Sequence, residues 1–114
     1  NAFKHRQKVL TLGNIDVYRD FSDVRVIAWA YAELVNLGIS RDLINFCSGV
    51  PLSIQDIIFI CEHISLHNII LESRPELKRV HEIKYLCGDP THMREVLGNF
   101  NSLSLKQTLS WMLE

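Results

Sequence analysis

Two histidines four residues apart, in His63-Ile-Ser-Leu-His67, take the helical spacing of paired zinc ligands. A metalloprotease also needs a glutamate directly after the first histidine as general base, and Ile64 stands there. Glu62 precedes the pair and points elsewhere around the helix. The histidines are therefore expected to be solvated or hydrogen-bonded, and no metal site is assigned. Nucleophilic catalysis would place a cysteine or serine against a histidine and an orienting acid. Cys61 and His63 are two apart, so on a helix their side chains diverge. Cys87 could meet His81 or His92 only through tertiary contacts that spacing does not dictate. The strained Gly-x-Ser-x-Gly turn, a glycine-rich phosphate loop and the dinucleotide fingerprint Gly-x-Gly-x-x-Gly are all missing from the 114 residues. The expectation is a protein that is not an enzyme, with no catalytic residue, cofactor or small-molecule substrate.

Binding chemistry is easier to find. Lys78, Arg79, His81 and Lys84 form the densest positive stretch, diluted by Glu76 and Glu82, and read first as a salt-bridged solvated face. The first eight residues carry Lys4, Arg6 and Lys8 and no acid, a pattern usual for a solvated chain end. Joined to Lys78, Arg79 and Lys84, that arm would make a surface for nucleic acid, RNA in particular. Two tryptophans are the alternative anchors. At 100° per residue Trp29 falls on the polar side of its helix, flanked by Arg25 and Glu33, and Trp111 falls outward with Ser104 and Gln107. Outward tryptophan is enriched where a partner binds, so Trp29, Arg25, Glu33 and Trp111 are the candidate contacts with a protein partner.

The elements that hold these residues follow from caps and stops. Asp23 or Ser22 caps a helix to Leu37, closed by Gly38. Ser40 opens a short helix through Cys47. Pro51 and Ser53 open a long one, about 54–71, apolar nearly all round and thus expected at the centre of a bundle. Ser73-Arg-Pro-Glu76 has capping-box spacing for a helix over 75–87 that stops at Gly88. Asp89-Pro90 starts the next, to Gly98, and Asn101 or Ser102 caps the last, through Trp111. Residues 9–18 read as two strands about a Gly13-Asn14 turn, or as a helix stopped at Gly13. The predicted fold is all-α: a compact bundle of five to six helices around the central helix, with residues 1–21 as an arm or short hairpin and 22–114 as the helical domain.

Composition sets the outer limits. With 47% hydrophobic and 22% charged residues the chain can build a core, and one domain is expected at this length. A net charge of −1 gives little long-range pull on nucleic acid or anionic lipid. Cys47, Cys61 and Cys87 are odd in number and widely spaced, which suits free thiols inside a cell, cytoplasmic or nuclear. No apolar run approaches a membrane span. The chain opens on Asn1 and not Met, as expected of an excised or processed piece. Ser104-Leu-Lys-Gln-Thr-Leu-Ser-Trp-Met-Leu113 resembles a helical segment of the RNA-silencing suppressors of plant-infecting tenuiviruses, and the Ile- and Asn-rich composition would suit a virus. That likeness covers ten residues, and no function is carried over from it. The expected function is a non-enzymatic helical interaction module, viral or regulatory, acting through a protein partner or as a homodimer, with RNA binding as the alternative.

Overall fold

A computed structural model describes residues 2–40, 42–78, 81–98 and 103–114. It is mixed α/β, which overturns the all-α expectation. In chain order the elements are β1 (Val9–Leu12), β2 (Tyr18–Asp20), α1 (Val24–Asn36), β3 (Pro51–Ser53), α2 (Ile54–Ser65), β4 (Ile70–Ser73), a single 3-10 turn (Pro75–Leu77), β5 (Tyr85–Leu86), α3 (Thr91–Leu97) and α4 (Leu105–Leu113).

Residues 9–20 do not form a hairpin. β1 runs parallel to β4, with Val9 opposite Ile70 and Leu12 opposite Ser73. β2 lies between β3, antiparallel, and β5, parallel. Gly13 is needed for a close approach and not for a tight turn: a Cβ there would collide with the Leu77 carbonyl of the 3-10 turn. The Ser73 hydroxyl donates to the Gly13 carbonyl at 2.7 Å, and the Asn14 side chain accepts from the Asp16 amide at 3.1 Å. These bonds send the chain across to the second sheet.

The helix expected over 54–71 is cut at Ser65. Its start is as the caps require: Ser53 accepts from the Asp56 amide while Asp56 accepts from the Ser53 amide, 3.1 and 2.8 Å. Its end is a left-handed Leu66 (φ 51°), and the Glu62 carboxylate accepts from the Ile69 amide at 2.8 Å, so the turned backbone keeps a partner. Ile70 and Leu71 then enter β4, where β-branched and aliphatic residues pack well. Nor is α2 a buried rod. Ile58 and Cys61 are buried, but Phe59 is 60% exposed. α2 packs on α4, and the molecule is a slab measuring 49 × 35 × 16 Å.

Two further expected helices are not formed. Residues 42–50 are irregular, and among the described residues of the 75–87 segment only Pro75–Leu77 is helical before the chain extends at Lys78. α1, α3 and α4 stand close to their predicted spans; Asp23 caps α1 as expected, whereas Ser104 caps α4 and the expected caps Asn101 and Ser102 lie outside the described residues. Among the described residues no helix is long and apolar enough to cross a membrane.

Candidate functional site

β2 is three residues long, and two of them point chemistry at the neighbouring loops. Asp20 grips the turn at Ser48-Gly49: its carboxylate accepts from the Ser48 amide (2.8 Å), the Ser48 hydroxyl (2.7 Å), the Gly49 amide (2.9 Å) and the Cys87 thiol (3.5 Å). Burial works to raise the Asp20 pKa, but these donors together hold it below the ordinary carboxylate range. This grip keeps the end of the 42–50 segment out of a helix: the Ser48 and Gly49 amides are spent on Asp20 and not on carbonyls one turn back.

Arg19 faces an open groove of about 500 Å³. The groove is also lined by Asn45 and Phe46 on one side and by Leu86, Cys87 and Asp89 on the other. The Arg19 guanidinium donates to the Tyr18 carbonyl at 2.7 Å and meets Glu82 at 3.5 Å, with the side chain 27% exposed. Asp89 is engaged elsewhere, accepting from the Thr91 amide and hydroxyl at 2.9 and 2.6 Å. Asp20 and Asp89 stay ionised but are engaged by local donors, so what the groove offers an anion is the Arg19 fork, held by the Tyr18 carbonyl and one long ion pair. Such a planar fork suits a phosphate or carboxylate.

A second cavity, of about 450 Å³, lies behind the 45–48 loop and shares Cys47 with the groove. Its walls are mainly apolar, from Phe21, Ile27, Leu52, Met93 and Leu105. At its edge Asp23 caps α1 and is buried. Asp23 accepts from the Arg25 amide (2.7 Å), the Arg25 guanidinium (3.0 and 2.7 Å) and the Thr108 hydroxyl of α4 (2.7 Å). The Arg25 guanidinium beside it holds its carboxyl far below the usual range. Both oxygens of the Asp23 carboxylate are bonded, so Asp23 reads as a structural clamp between α1 and α4.

The loop is also stapled from the far side. Arg94 of α3 donates to the Ser48 carbonyl at 3.1 Å, and His92 meets Asp42 at 3.0 and 3.1 Å and Glu95 at 3.5 Å. The bond to Asp42, with Glu95 behind it, raises the His92 pKa above its ordinary value. A histidine so raised stabilises the fold fully below its unfolded value of about 6.5, and that contribution is lost as pH climbs through the higher folded value. Amide protection factors over residues 42–48 are therefore expected to fall as pH rises through that window, and to become pH-independent there in His92→Ala. Hydrogen exchange corrected for intrinsic rates reads both.

The residues singled out from the sequence are not gathered at this groove. Arg25 serves Asp23, and its Cζ also lies 4.1 Å from the centre of the Trp111 ring, so these two candidate contacts are joined to each other. Trp29 is 42% and Trp111 46% exposed, and Glu33 is half-buried. Lys4, Arg6 and Lys8 are exposed at the chain start, and Lys78 and Lys84 are exposed on an irregular segment and not on one helix face. Arg79 lies outside the described residues. His63 contacts the Phe59 carbonyl at 2.9 Å, whereas His67 has left the helix and contacts the Gln7 carbonyl at 2.8 Å. Among the described residues no three His, Cys, Asp or Glu side chains gather as a metal site would require. Sequence reasoning missed Arg19, Asp20 and the Ser48-Gly49 turn. The signal available was small: adjacent opposite charges, Arg19-Asp20, directly after the apolar Val17 and the aromatic Tyr18.

No protein-family model matches the chain. Its sequence is 31% identical over 99 residues to a GDP-6-deoxy-D-talose 4-dehydrogenase of Aggregatibacter actinomycetemcomitans, covering 87% of this chain and 34% of that protein. It is 29% identical over 104 residues to a GDP-6-deoxy-D-mannose reductase of Pseudomonas aeruginosa, covering 91% of the chain and 34% of the relative. Among solved structures it superposes with TM-score 0.93 and 30% identity on a Burkholderia cenocepacia J2315 protein assigned as an epimerase, over 98% of this chain and 37% of that one. The match to RMD from Pseudomonas aeruginosa, solved with NADPH, has TM-score 0.85 and 25% identity over 98% and 39%. The chain thus spans about a third of the length of the curated relatives it matches.

These likenesses overturn the functional expectations drawn from the sequence. The relatives are enzymes named for GDP-linked deoxysugars, so a non-enzymatic interaction module, viral or otherwise, does not stand. The expected absence of a small-molecule substrate falls with it, as does the choice between a protein partner and RNA. The reasoning failed because it sought a nucleophile or a glycine-rich loop inside these 114 residues.

Proposed function

We propose that this chain, as one globular unit joining residues 1–21 to 22–114, forms the sugar-nucleotide-binding portion of an enzyme that oxidises, reduces or epimerises a nucleotide-linked deoxysugar. The observation that carries this reading is Arg19 in an open groove whose neighbouring acids are already hydrogen-bonded, in a chain similar to GDP-deoxysugar enzymes. A sugar nucleotide offers a diphosphate, which an arginine fork binds through charge-assisted hydrogen bonds. The half-apolar rim, with Phe46 and Leu86, suits the flat face of a sugar or base. The residues present do not fit a nicotinamide dinucleotide. The five glycines, at 13, 38, 49, 88 and 98, are too scattered for a glycine-rich pyrophosphate turn. What these residues do is hold the diphosphate, exclude water from one side of it and orient the attached sugar. A cytoplasmic setting belongs to the same reading, supported by three free thiols and bacterial relatives.

Calorimetric titration of the whole protein with a GDP-linked deoxysugar, GDP alone and a UDP-sugar tests this. Saturable binding is expected for the first two and weaker binding for the third. An enzyme blind to all three overturns the reading.

A further inference from the structure

Cys47 and Cys87 come from segments forty residues apart in the chain, and both line the Arg19 groove. They are brought together by the residue between Cys87 and Asp89. A Cβ on Gly88 would lie 2.6 Å from the Cys47 sulfur and 2.7 Å from its Cβ, so only glycine lets the Cys47 side chain pass this close to the backbone next to Cys87. Asp20 anchors both sides: it accepts from the Cys87 thiol at 3.5 Å and holds the Ser48 amide, the neighbour of Cys47. Cys61 is apart from them, buried on α2.

We infer that Cys47 and Cys87 are a dithiol modification site that a peroxide closes to a disulfide, pinning the 45–48 loop to the Gly88 turn across the groove. The chemistry balances with hydrogen peroxide as the oxidant. One thiol, losing its proton, attacks a peroxide oxygen; the O–O bond breaks, a sulfenic acid forms and the second oxygen leaves as water. The other sulfur then attacks the sulfenic sulfur, the S–S bond forms, and the hydroxyl leaves with its proton as a second water. Two thiols lose two electrons and peroxide gains them. Closure takes the Cys87 sulfur off Asp20 and narrows the space beside Arg19. That second consequence, loss of ligand binding, rests on the groove being the sugar-nucleotide site.

The surroundings set the pace. Burial raises the pKa of both thiols, and Asp20 adds to the rise at each of them. The pair therefore stays protonated at neutral pH, and its oxidation should quicken as pH rises toward those higher values. A site that yields only to sustained oxidant is a damage-resistant switch and not a fast sensor.

The experiment uses the intact wild-type protein treated with hydrogen peroxide and then unfolded for thiol counting. Titratable thiols are expected to fall from three to one, with tandem mass spectrometry linking Cys47 to Cys87 within one molecule. Dithiothreitol should restore all three. Reduced protein should also be captured by phenylarsine oxide, a reagent that needs two adjacent thiols, and lose that capture after peroxide. A persistent sulfenic acid on one cysteine, a cross-link between molecules, or a link involving Cys61 overturns the site. GDP-sugar affinity of the oxidised form is expected to drop at least tenfold and recover on reduction; disulfide formation with unchanged affinity overturns the pinning of the groove. Reduced protein that fails to bind the sugar nucleotide at all counts against the binding reading alone, because the mass spectrum decides the disulfide independently.

Discussion

Arg19→Ala is expected to weaken binding of a GDP-linked sugar by about ten- to a hundredfold while leaving thermal stability nearly unchanged. Hydrogen bonds to a charged group contribute about 1.5–3 kcal/mol each, and a tenfold change in affinity corresponds to about 1.4 kcal/mol. The stability side of the expectation comes from what Arg19 touches: a neighbouring carbonyl and a 3.5 Å contact to Glu82, neither of which closes a core. A partly buried pair at that distance, with one partner bonded to a neighbouring carbonyl as well, adds little to folding. Arg19→Lys separates charge from shape. Lysine keeps the cation but loses the fork, so its affinity should fall between wild type and alanine. Calorimetry with GDP alone localises the effect: if Arg19 holds the diphosphate, GDP and the GDP-sugar lose the same factor. An alanine variant with wild-type affinity for both would remove Arg19 from the site.

The largest effect on folding is expected at Asp23, not at any groove residue. Asp23→Ala removes the α1 cap, leaves the Thr108 hydroxyl only its longer bond to the Ser104 carbonyl and strips the inner partner from Arg25, in one change. A lost cap costs about 0.5–2 kcal/mol and a hydrogen bond to a charged group contributes about 1.5–3 kcal/mol, so a loss of about 2–4 kcal/mol is expected. Urea denaturation monitored by Trp111 fluorescence suits the measurement, since that ring lies over Arg25. Asp23→Asn keeps an oxygen for the cap and should recover only part of the loss. The pH dependence has a fixed sign. The folded-state pKa of Asp23 is depressed, so its contribution is complete above the unfolded value of about 3.9 and disappears as pH falls through the lower folded value. Wild type should lose stability across that acid range more steeply than Asp23→Asn. Parallel curves for the two would show that the charge is not what Asp23 supplies.

The parts of this fold written in local chemistry were readable from the sequence. Asp23 and Ser53 stand as side-chain caps, Gly38 takes the left-handed conformation (φ 67°), and Gly88-Asp89-Pro90 ends one segment and starts α3. The sheets were not readable. β2, β3 and β5 are two or three residues long, too short to show alternation, and β1 finds its partner at Ile70, far along the chain. Isoleucine-rich 54–71 looks like one helix because nothing in its periodicity announces the turn at Leu66; that turn depends on Glu62 reaching the Ile69 amide. Likewise Ser40–Cys47 has helical spacing, but its backbone donors next to it answer to a carboxylate 28 residues earlier. The candidate groove was invisible for the same reason. Arg19 gains meaning only when β5 and the 45–48 loop are laid on either side of it, and neither was expected there.

The three-residue strand β2 carries Tyr18, Arg19 and Asp20 in consecutive positions, paired with Ser53, Leu52 and Pro51. Neighbouring strand residues face opposite ways, so sliding this ribbon by a single position would take the Arg19 fork from its place beside Glu82 and pull Asp20 off the Ser48-Gly49 turn. Pro51, opposite Asp20, has no amide hydrogen to extend the ladder and thus acts as a doorstop at that end. Placement of the guanidinium is in this way inherited from alignment, and a slip would cost the recess its fork and the 45–48 loop its anchor together.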